Sequence, residues 1–77
     1  MQTRYFFDRV SRQASHYDYR GREFPTPEKA FQLAELIALD LGVDDGDDWS
    51  GWAINVRNAI GQKLFSIPVP QTALAAA

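Results

Sequence analysis

The chain has 77 residues, 45% of them hydrophobic, so it can fold around one core and is too apolar to be intrinsically disordered. It contains no cysteine, which excludes disulfides and thiolate metal sites, and its apolar runs are shorter than the ~20 residues of a membrane-spanning helix. Ten acidic and eight basic side chains give a net charge of −2. We therefore expect one small soluble domain without membrane association.

The charges are unevenly distributed along the chain. Residues 1–22 contain five arginines and two aspartates, whereas residues 23–48 contain eight acidic residues and a single lysine. Such a chain can associate head to tail with a copy of itself, or it can simply have differently charged solvated faces. The first residues lack the apolar segment and cleavage site of a secretory signal, so we expect a cytoplasmic location.

Residues 4–10 predict the first strand, because three consecutive aromatic residues stand in a short segment of strand-like composition. Side chains alternate along a strand, so Tyr5 and Phe7 share one face and Phe6 lies on the other. One of these faces packs on the core. The other is either covered by another part of the chain or left as exposed aromatic surface.

A polar turn at residues 11–15 and a weaker second strand at residues 16–19 are predicted next. Asp18 and Gly21 occupy the first and fourth positions of a type I turn, where these residue types are favoured. We therefore expect a turn at residues 18–21 that closes on a left-handed glycine.

The segment that follows Thr26 carries the strongest helix signal. Thr26 can accept hydrogen bonds as the N-cap, Pro27 suits the first helical position, and Glu28 favours the positive end of the helix dipole. Apolar residues then recur at helical spacing on one stripe: Ala30, Leu33, Ala34, Ile37 and Leu41. Leu36 and Leu39 lie off this stripe, either as ordinary exposed leucines or as part of a contact surface.

Residues 52–57 and 63–69 predict the two strands of a hairpin, since apolar and polar residues alternate in both. The turn at residues 58–61 ends in Gly61, which we expect in a left-handed conformation. Pro68 lacks the N–H group that a ladder needs, so its strand is expected to lose pairing there or to lie at an edge of the sheet.

The predicted order of elements is β-β-α-β-β, an α+β fold in which one helix packs on one face of an antiparallel sheet. The domain spans residues 1–70, and residues 71–77 are expected to form a frayed tail. The predicted core combines one aromatic face of the first strand with eight further residues: Leu33, Ile37, Leu41, Trp52, Ile54, Val56, Phe65 and Ile67.

No group of residues predicts catalysis, a cofactor or a metal site. The acidic loop at residues 44–48 does not fit the calcium-loop pattern, which ends in a glutamate, so a solvated turn is expected, with weak calcium binding as the alternative. His16 stands alone, and no cysteine or motif-like serine offers a nucleophile. Acid–base chemistry by Asp8 and Asp18 stays open, but we expect no enzyme and no catalytic residue.

Nucleic-acid binding is the alternative function that the first third of the chain supports. Basic and aromatic residues are interleaved there, and an aromatic sheet face with basic neighbours can stack unpaired bases. The residues concerned are Arg4, Arg9, Arg12, Arg20 and Arg22, with Tyr5, Phe6, Phe7, Tyr17 and Tyr19. The strongly negative middle third of the chain argues against this function, because it repels phosphates.

These motifs resemble a bacterial family of short proteins described only as a domain of unknown function. The resemblance covers about residues 4–69 and rests on these features: the Arg-Tyr-Phe-Phe-Asp opening at 4–8, the turn from Asp18 to Gly21, the helix with Ala30 and Ala34, Trp52, the Val-Arg-Asn segment at 56–58 with Gly61, and Ile67-Pro68. Asn58 stands where the family has aspartate, and the loop at residues 44–48 is unusually acidic. The resemblance implies a fold and no activity.

We expect the chain to work as a non-catalytic protein-interaction or self-association module. One helix covers only one face of the sheet, whereas the first strand carries large aromatic residues on both faces. A homodimer through the face away from the helix is therefore expected, and an unpaired edge strand offers a second route. The predicted contact surface comprises Arg4, Tyr5, Phe7, Arg9 and Leu39. If the chain is a monomer, a heterologous protein partner takes the place of the second copy.

Overall fold

The computed structural model describes residues 2–44 and 46–70 as an α+β fold, an open antiparallel sheet of five strands with one helix packed on one face. The elements in chain order are β1 (Thr3–Val10), β2 (Ser15–His16), β3 (Arg22–Phe24), α1 (Pro27–Gly42), β4 (Ala53–Asn58) and β5 (Lys63–Pro68). The predicted tail at residues 71–77 lies outside the described residues. No helix in the described ranges is long and apolar enough to cross a membrane.

Strands β1 and β4 form the centre of the sheet. They pair antiparallel in a continuous register that runs from Tyr5 with Asn58 to Val10 with Ala53. β5 extends the sheet beyond β4 and forms one edge. The other side of β1 is shared by two short strands, since β3 pairs with its first half and β2 with its last two residues. The two edges of the sheet therefore differ in length and in continuity.

The second strand is shorter than the predicted residues 16–19, and the sequence did not predict β3. The reason is the carboxylate of Asp18, which accepts a hydrogen bond from the backbone N–H of Phe7 at 3.1 Å. This carboxylate stands where a neighbouring strand would otherwise bond to β1, so the chain leaves β1 after His16 and returns as β3. Gly21 has the left-handed φ of 67° that the turn prediction required.

Helix α1 begins where the sequence predicted. Thr26 is the N-cap, its side chain accepts a hydrogen bond from the N–H of Lys29 at 3.3 Å, and Pro27 is the first helical residue. The cap satisfies one of the backbone N–H groups that a helix leaves without an intrahelical acceptor. At the other end, the N–H of Val43 donates to the carbonyl of Leu39 at 3.2 Å.

Three alanines form the line along which α1 contacts the sheet. Ala30, Ala34 and Ala38 are at most 1% exposed. Their small side chains let the helix approach the strands closely, so the buried stripe runs through alanines, and Leu33 is only half-buried. The same core cluster contains Tyr5, Ile54, Val56 and Val69. Most of the larger predicted core residues pack around it and are partly buried: Ile37, Leu41, Trp52, Phe65 and Ile67.

The hairpin of β4 and β5 closes as the sequence predicted. Gly61 has a φ of 89°, and its N–H donates to the carbonyl of Asn58 at 3.0 Å. A register shift between Val56 and Arg57 marks a β-bulge in this pair. β5 lies at an edge of the sheet, where Pro68 costs no ladder hydrogen bond on its open side.

Candidate functional site

The alternation of β1 places its three aromatic residues on opposite faces of the sheet. Tyr5 and Phe7 lie on the helix side and contact Phe24, with ring centroids 6.4 and 6.0 Å away. Phe6 lies on the other side, where the guanidinium carbon of Arg57 is 4.6 Å from its ring centroid. Tyr5 is 5% exposed and belongs to the core. The structure therefore moves Tyr5 and Phe7 away from the face on which we expected a homodimer to form.

On the face of the sheet away from the helix, Asp8, Asp18 and Arg57 form a hydrogen-bonded network. Asp8 is 3% exposed, and its two carboxylate oxygens accept from the N–H of Asp18 at 2.9 Å and from Nε of Arg57 at 2.8 Å. Arg57 also donates to the carbonyl of Asp18 at 2.9 Å. One guanidinium thus connects β1, β4 and the segment between β2 and β3.

The carboxylate of Asp18 organises the segment to which it belongs. Besides the bond from Phe7, it accepts from the N–H groups of Arg20 and Gly21 at 3.0 and 3.1 Å. Partial burial raises the pKa of this carboxyl, but the three N–H donors and the charge of Arg57 outweigh it and hold the pKa below its ordinary value. Asp18 and Asp8, which the sequence left open for acid–base chemistry, are therefore both used to hold the fold.

Two further polar pairs lie on this face. Arg4 on β1 pairs with Glu23 on β3 at 3.3 Å, and the hydroxyl of Ser66 on β5 donates to the Asn55 side chain on β4 at 2.7 Å. These groups already have partners within the chain. The face therefore does not present the aromatic surface whose burial was expected to drive self-association.

The outward side of α1 carries three exposed apolar side chains. Leu36, Leu39 and Val43 are 59%, 52% and 55% exposed, and their spacing places them on one side of the helix. Leu39 is thus exposed, as the sequence predicted. It lies on the opposite face of the two-layer fold from Arg4, and Tyr5 lies between the layers. The five predicted contact residues therefore do not form one continuous surface.

An aromatic cluster lies at the end of the sheet where β1 meets β2. The rings of Trp49 and Trp52 are 5.1 Å apart and inclined at 73°. His16 stacks on Trp52 at 5.4 Å, and the guanidinium carbon of Arg9 is 5.7 Å from the ring centroid of Trp49. The sheet brings these groups together because Arg9 pairs with His16 on one side and with Ile54 on the other, two residues beyond Trp52.

The acidic loop before β4 positions Trp49. Asp44 accepts from the N–H of Gly46 at 2.7 Å and from the indole N–H of Trp49 at 3.0 Å, and these two bonds lower the pKa of the Asp44 carboxyl. Asp48 accepts from the N–H of Ser50 at 2.9 Å, and hydrogen bonding to Ser50 likewise lowers its pKa. An open cavity of about 260 Å³, which we call the tryptophan corner, is lined by Asp47, Asp48, Trp49 and Trp52.

Sequence reasoning placed Trp52 in the core and gave Trp49 no role. The available signal was the spacing of the two tryptophans, since the N–H of Trp52 bonds to the carbonyl of Trp49 at 3.1 Å and the turn brings the rings together. Arg9 was expected on a contact surface, and the structure places it beside this cluster. Within residues 2–44 and 46–70, no three or more His, Cys, Asp or Glu side chains are arranged to hold a metal ion.

Strand β5 presents an open edge. The N–H of Val69 donates to the carbonyl of Trp52 at 2.9 Å, so alternate residues of β5 bond to β4, and Ser66 directs its backbone N–H and C=O away from β4. No strand in the described part of the chain pairs with this outer side. Phe31 on α1 and Phe65 on β5 contact each other beside this edge, with ring centroids 5.1 Å apart, and both are half-buried.

Comparison with known proteins gives one result that bears on identity. The family model described as Domain of unknown function (DUF6894) matches residues 4–70, a range that contains almost all of the sheet, the helix and the tryptophan corner. No match was found among curated proteins or among solved structures. The family description carries no activity, so the function has to be argued from the geometry of the chain.

Proposed function

We propose, for a chain that belongs to the family described as Domain of unknown function (DUF6894), a role as a non-catalytic protein-interaction module that pairs with a second copy through the open edge of β5. The observation that supports this proposal is the outer side of β5, with which no strand of residues 2–44 and 46–70 pairs. We also propose that the protein is bacterial and cytoplasmic, as its sequence predicts.

The chemistry of the edge decides what kind of group binds there. A free strand edge offers backbone N–H and C=O groups at fixed spacing, and another extended strand matches that spacing best. Ser66 offers both groups on the outer side, whereas Pro68 offers only its carbonyl. Two copies that pair antiparallel about Ser66 therefore exchange two hydrogen bonds between their Ser66 backbones, and the arrangement has the two-fold symmetry that most homodimers have.

Apolar contact supplements these hydrogen bonds. Phe31 and Phe65 are half-buried beside the edge, and a second sheet in register would cover more of both rings. Burial of apolar surface contributes about 25 cal/mol for each Å² removed from water. Because the strand is short and Pro68 interrupts its donors, we expect a dimer that forms at high protein concentration and dissociates on dilution.

A substitution at Ser66 tests the proposal directly. Ser66→Pro removes the outward N–H without removing a backbone bond to β4, and an edge strand tolerates proline at such a position. Ser66→Ala is the matched control, because it keeps the N–H and removes only the side-chain bond to Asn55. Sedimentation from micromolar to submillimolar protein should show the wild type and Ser66→Ala moving from 8.7 kDa toward twice that mass, while Ser66→Pro stays monomeric.

Two outcomes would overturn the proposal. A wild-type chain that remains an 8.7 kDa species at all these concentrations has no self-association to explain. If Ser66→Pro dimerises as the wild type does, a different surface forms the dimer. Leu39→Glu then tests the outward side of α1, because loss of the dimer in this variant would identify the helix and its persistence would exclude it. Circular dichroism of each variant verifies that the fold is retained.

Nucleic-acid binding is a second candidate, and the exposure of two tyrosines favours it. Tyr17 and Tyr19 are 55% and 86% exposed in the segment that also carries Arg20. Exposed aromatic rings beside an arginine can stack unpaired bases. Fluorescence anisotropy of a labelled single-stranded oligonucleotide tests this function, with Tyr19→Ala expected to weaken any binding. No change in anisotropy with the wild type at low salt would reject it.

A further inference from the structure

The tryptophan corner is a cavity with two indole walls and two carboxylates. The Trp49 and Trp52 rings are inclined at 73° in an edge-to-face contact, and both residues line the cavity. Aromatic rings have negative faces, and cations bind to those faces, tryptophan being the best of the three aromatic side chains. Arg9, which is not among the lining residues, already places its guanidinium 5.7 Å from the Trp49 ring centroid.

The two carboxylates add negative charge to the same cavity. Asp48 accepts from the N–H of Ser50, which keeps that carboxylate in place. Asp47 also lines the cavity, and among the described residues it makes no hydrogen bond or ion pair, so its charge is uncompensated. An anion would be repelled here. A hard metal ion requires several oxygen ligands, and the described residues offer it only the carboxylates of Asp47 and Asp48 in this cavity.

We propose that the tryptophan corner binds an alkylated ammonium group, in which methyl groups contact the indoles and the positive charge lies near Asp47 and Asp48. This class of ligand combines the two properties that the cavity selects, a diffuse positive charge and an apolar surface. The group can come from a free quaternary ammonium compound or from a trimethylated lysine of a protein partner. The site lies on a different part of the chain from Ser66, so Ser66→Pro should bind the ligand as the wild type does.

The composition of the chain makes the experiment specific. Trp49 and Trp52 are its only two tryptophans, so both indole N–H signals in a ¹⁵N-correlation spectrum report on this corner. The probes are choline chloride and its neutral carbon analogue, in which a tert-butyl group replaces trimethylammonium. We expect choline to shift both indole signals with saturation, and the neutral analogue to bind at least about fivefold more weakly, because it keeps the shape and loses the charge.

Substitutions separate the contribution of the carboxylate charge to choline binding from that of the indole rings. Asp47→Asn should weaken choline binding about twofold to fivefold, since it removes one exposed charge and breaks no hydrogen bond or ion pair with another described residue. Glu35→Gln is the matched control, because it removes the same charge from an exposed position on α1 and should leave binding unchanged. Trp52→Leu should weaken binding at least about fivefold, read from the remaining Trp49 indole signal.

Two further arms complete the test. A peptide with trimethyllysine, compared with the same peptide with unmodified lysine, distinguishes a protein source of the group from a free compound. The proposal is supported if the trimethyllysine peptide binds more tightly than the lysine peptide, or if choline binds more tightly than its neutral analogue. Equal binding of choline and its neutral analogue would overturn it, because the cavity would then be merely apolar. Calcium chloride that displaces choline at equal concentration would also overturn it, since the acidic loop alone would then explain the binding.

Discussion

At one edge of the sheet, β2 and β3 contribute two and three residues on either side of the segment that Asp18 holds. At the other edge, β5 is one strand of six residues, with a bulge near its start where the register against β4 shifts. We call the first edge the closed edge, because the Asp18 carboxylate bonds to the N–H of Phe7 where a strand would otherwise do so, and the strands on either side are short. The second edge is limited by Pro68 at one end, and by the bulge and the charge of Lys63 at the other.

This difference shows that a carboxylate can protect a sheet edge as well as a strand can. A strand that pairs with β1 would leave a new free edge on its own outer side. The Asp18 side chain accepts a hydrogen bond from the backbone N–H of Phe7 in β1. A side chain has no outer strand edge of its own, so strand pairing ends there. The protection depends on a buried ion pair, Asp8 with Arg57, which also fixes the Asp18 backbone. We therefore expect the two edges to respond differently to the same kinds of perturbation.

The largest effect is expected from Asp8→Ala. This substitution leaves Arg57 without its carboxylate in a part-buried position and removes the acceptor for the Asp18 N–H, so it should lower the free energy of unfolding by about 3–5 kcal/mol. Urea melts measure the loss. Hydrogen exchange should increase more at residues 15–24 than at residues 63–68. A loss below about 1 kcal/mol would mean that the network does not hold the closed edge.

Two of the three left-handed glycines in the described residues, Gly21 and Gly61, should differ when each is replaced by alanine. A Cβ at Gly21 would lie 2.7 Å from the carbonyl oxygen of Tyr5, so Gly21→Ala combines backbone strain with a clash and should cost about 2–3 kcal/mol. No atom lies within 4 Å of a Cβ at Gly61, so Gly61→Ala should cost only the conformational strain, about 1 kcal/mol. Thermal melts of both variants test this order, and equal losses would contradict the close approach at the closed edge.

Acid should weaken the closed edge. Because the pKa of Asp18 is lowered in the folded chain, its contribution to stability is complete above the pKa of the unfolded chain and is lost as the pH falls toward the folded value. The stability of the wild type should therefore decrease below about pH 4. Asp18→Asn should show a shallower decrease over the same range, while Asp44→Asn changes only the loop and leaves the exchange rates at residues 15–24 unaltered.

The smallest effect is expected from Arg4→Ala. Arg4 and Glu23 form an ion pair across β1 and β3, but both side chains are about half exposed, and such pairs contribute little in water. The substitution should change the free energy of unfolding by less than about 1 kcal/mol. A loss comparable to that of Asp8→Ala would show that surface charge, and not the buried network, secures this edge.

Local signals in the sequence predicted much of the fold. Thr26 and Pro27 marked the start of the helix, and Gly61 marked the hairpin turn, because a cap and a left-handed turn depend on residues close in the chain. β3 could not be predicted in this way, since its three residues pair with β1 only after Asp18 has folded the segment before them. Alternation separated Phe6 from Tyr5 but did not say which of them faces the helix.

A longer-range signal was available for that choice. Arg57 lies off the apolar face formed by Trp52, Ile54 and Val56, and Asp8 shares the parity of Phe6 in its own strand. A register that pairs these opposite charges on one face places Phe6 beside Arg57 and leaves Tyr5 for the core, as the structure has it. The tryptophan corner had no such long-range signal, only the spacing of its two tryptophans, and the local hydrogen bonds that Asp44 and Asp48 make in the loop cannot be read from composition.

The central position of β1 and β4 affects the order in which the chain can fold during synthesis. The helix and the β4–β5 hairpin join residues close in sequence, whereas β1 must wait for β4, because Tyr5 pairs with Asn58 near the far end of the domain. β1 nevertheless leaves the ribosome first. Its aromatic residues therefore remain uncovered until nearly the whole domain has emerged, so a strand that ends at the centre of the sheet is the one exposed for longest.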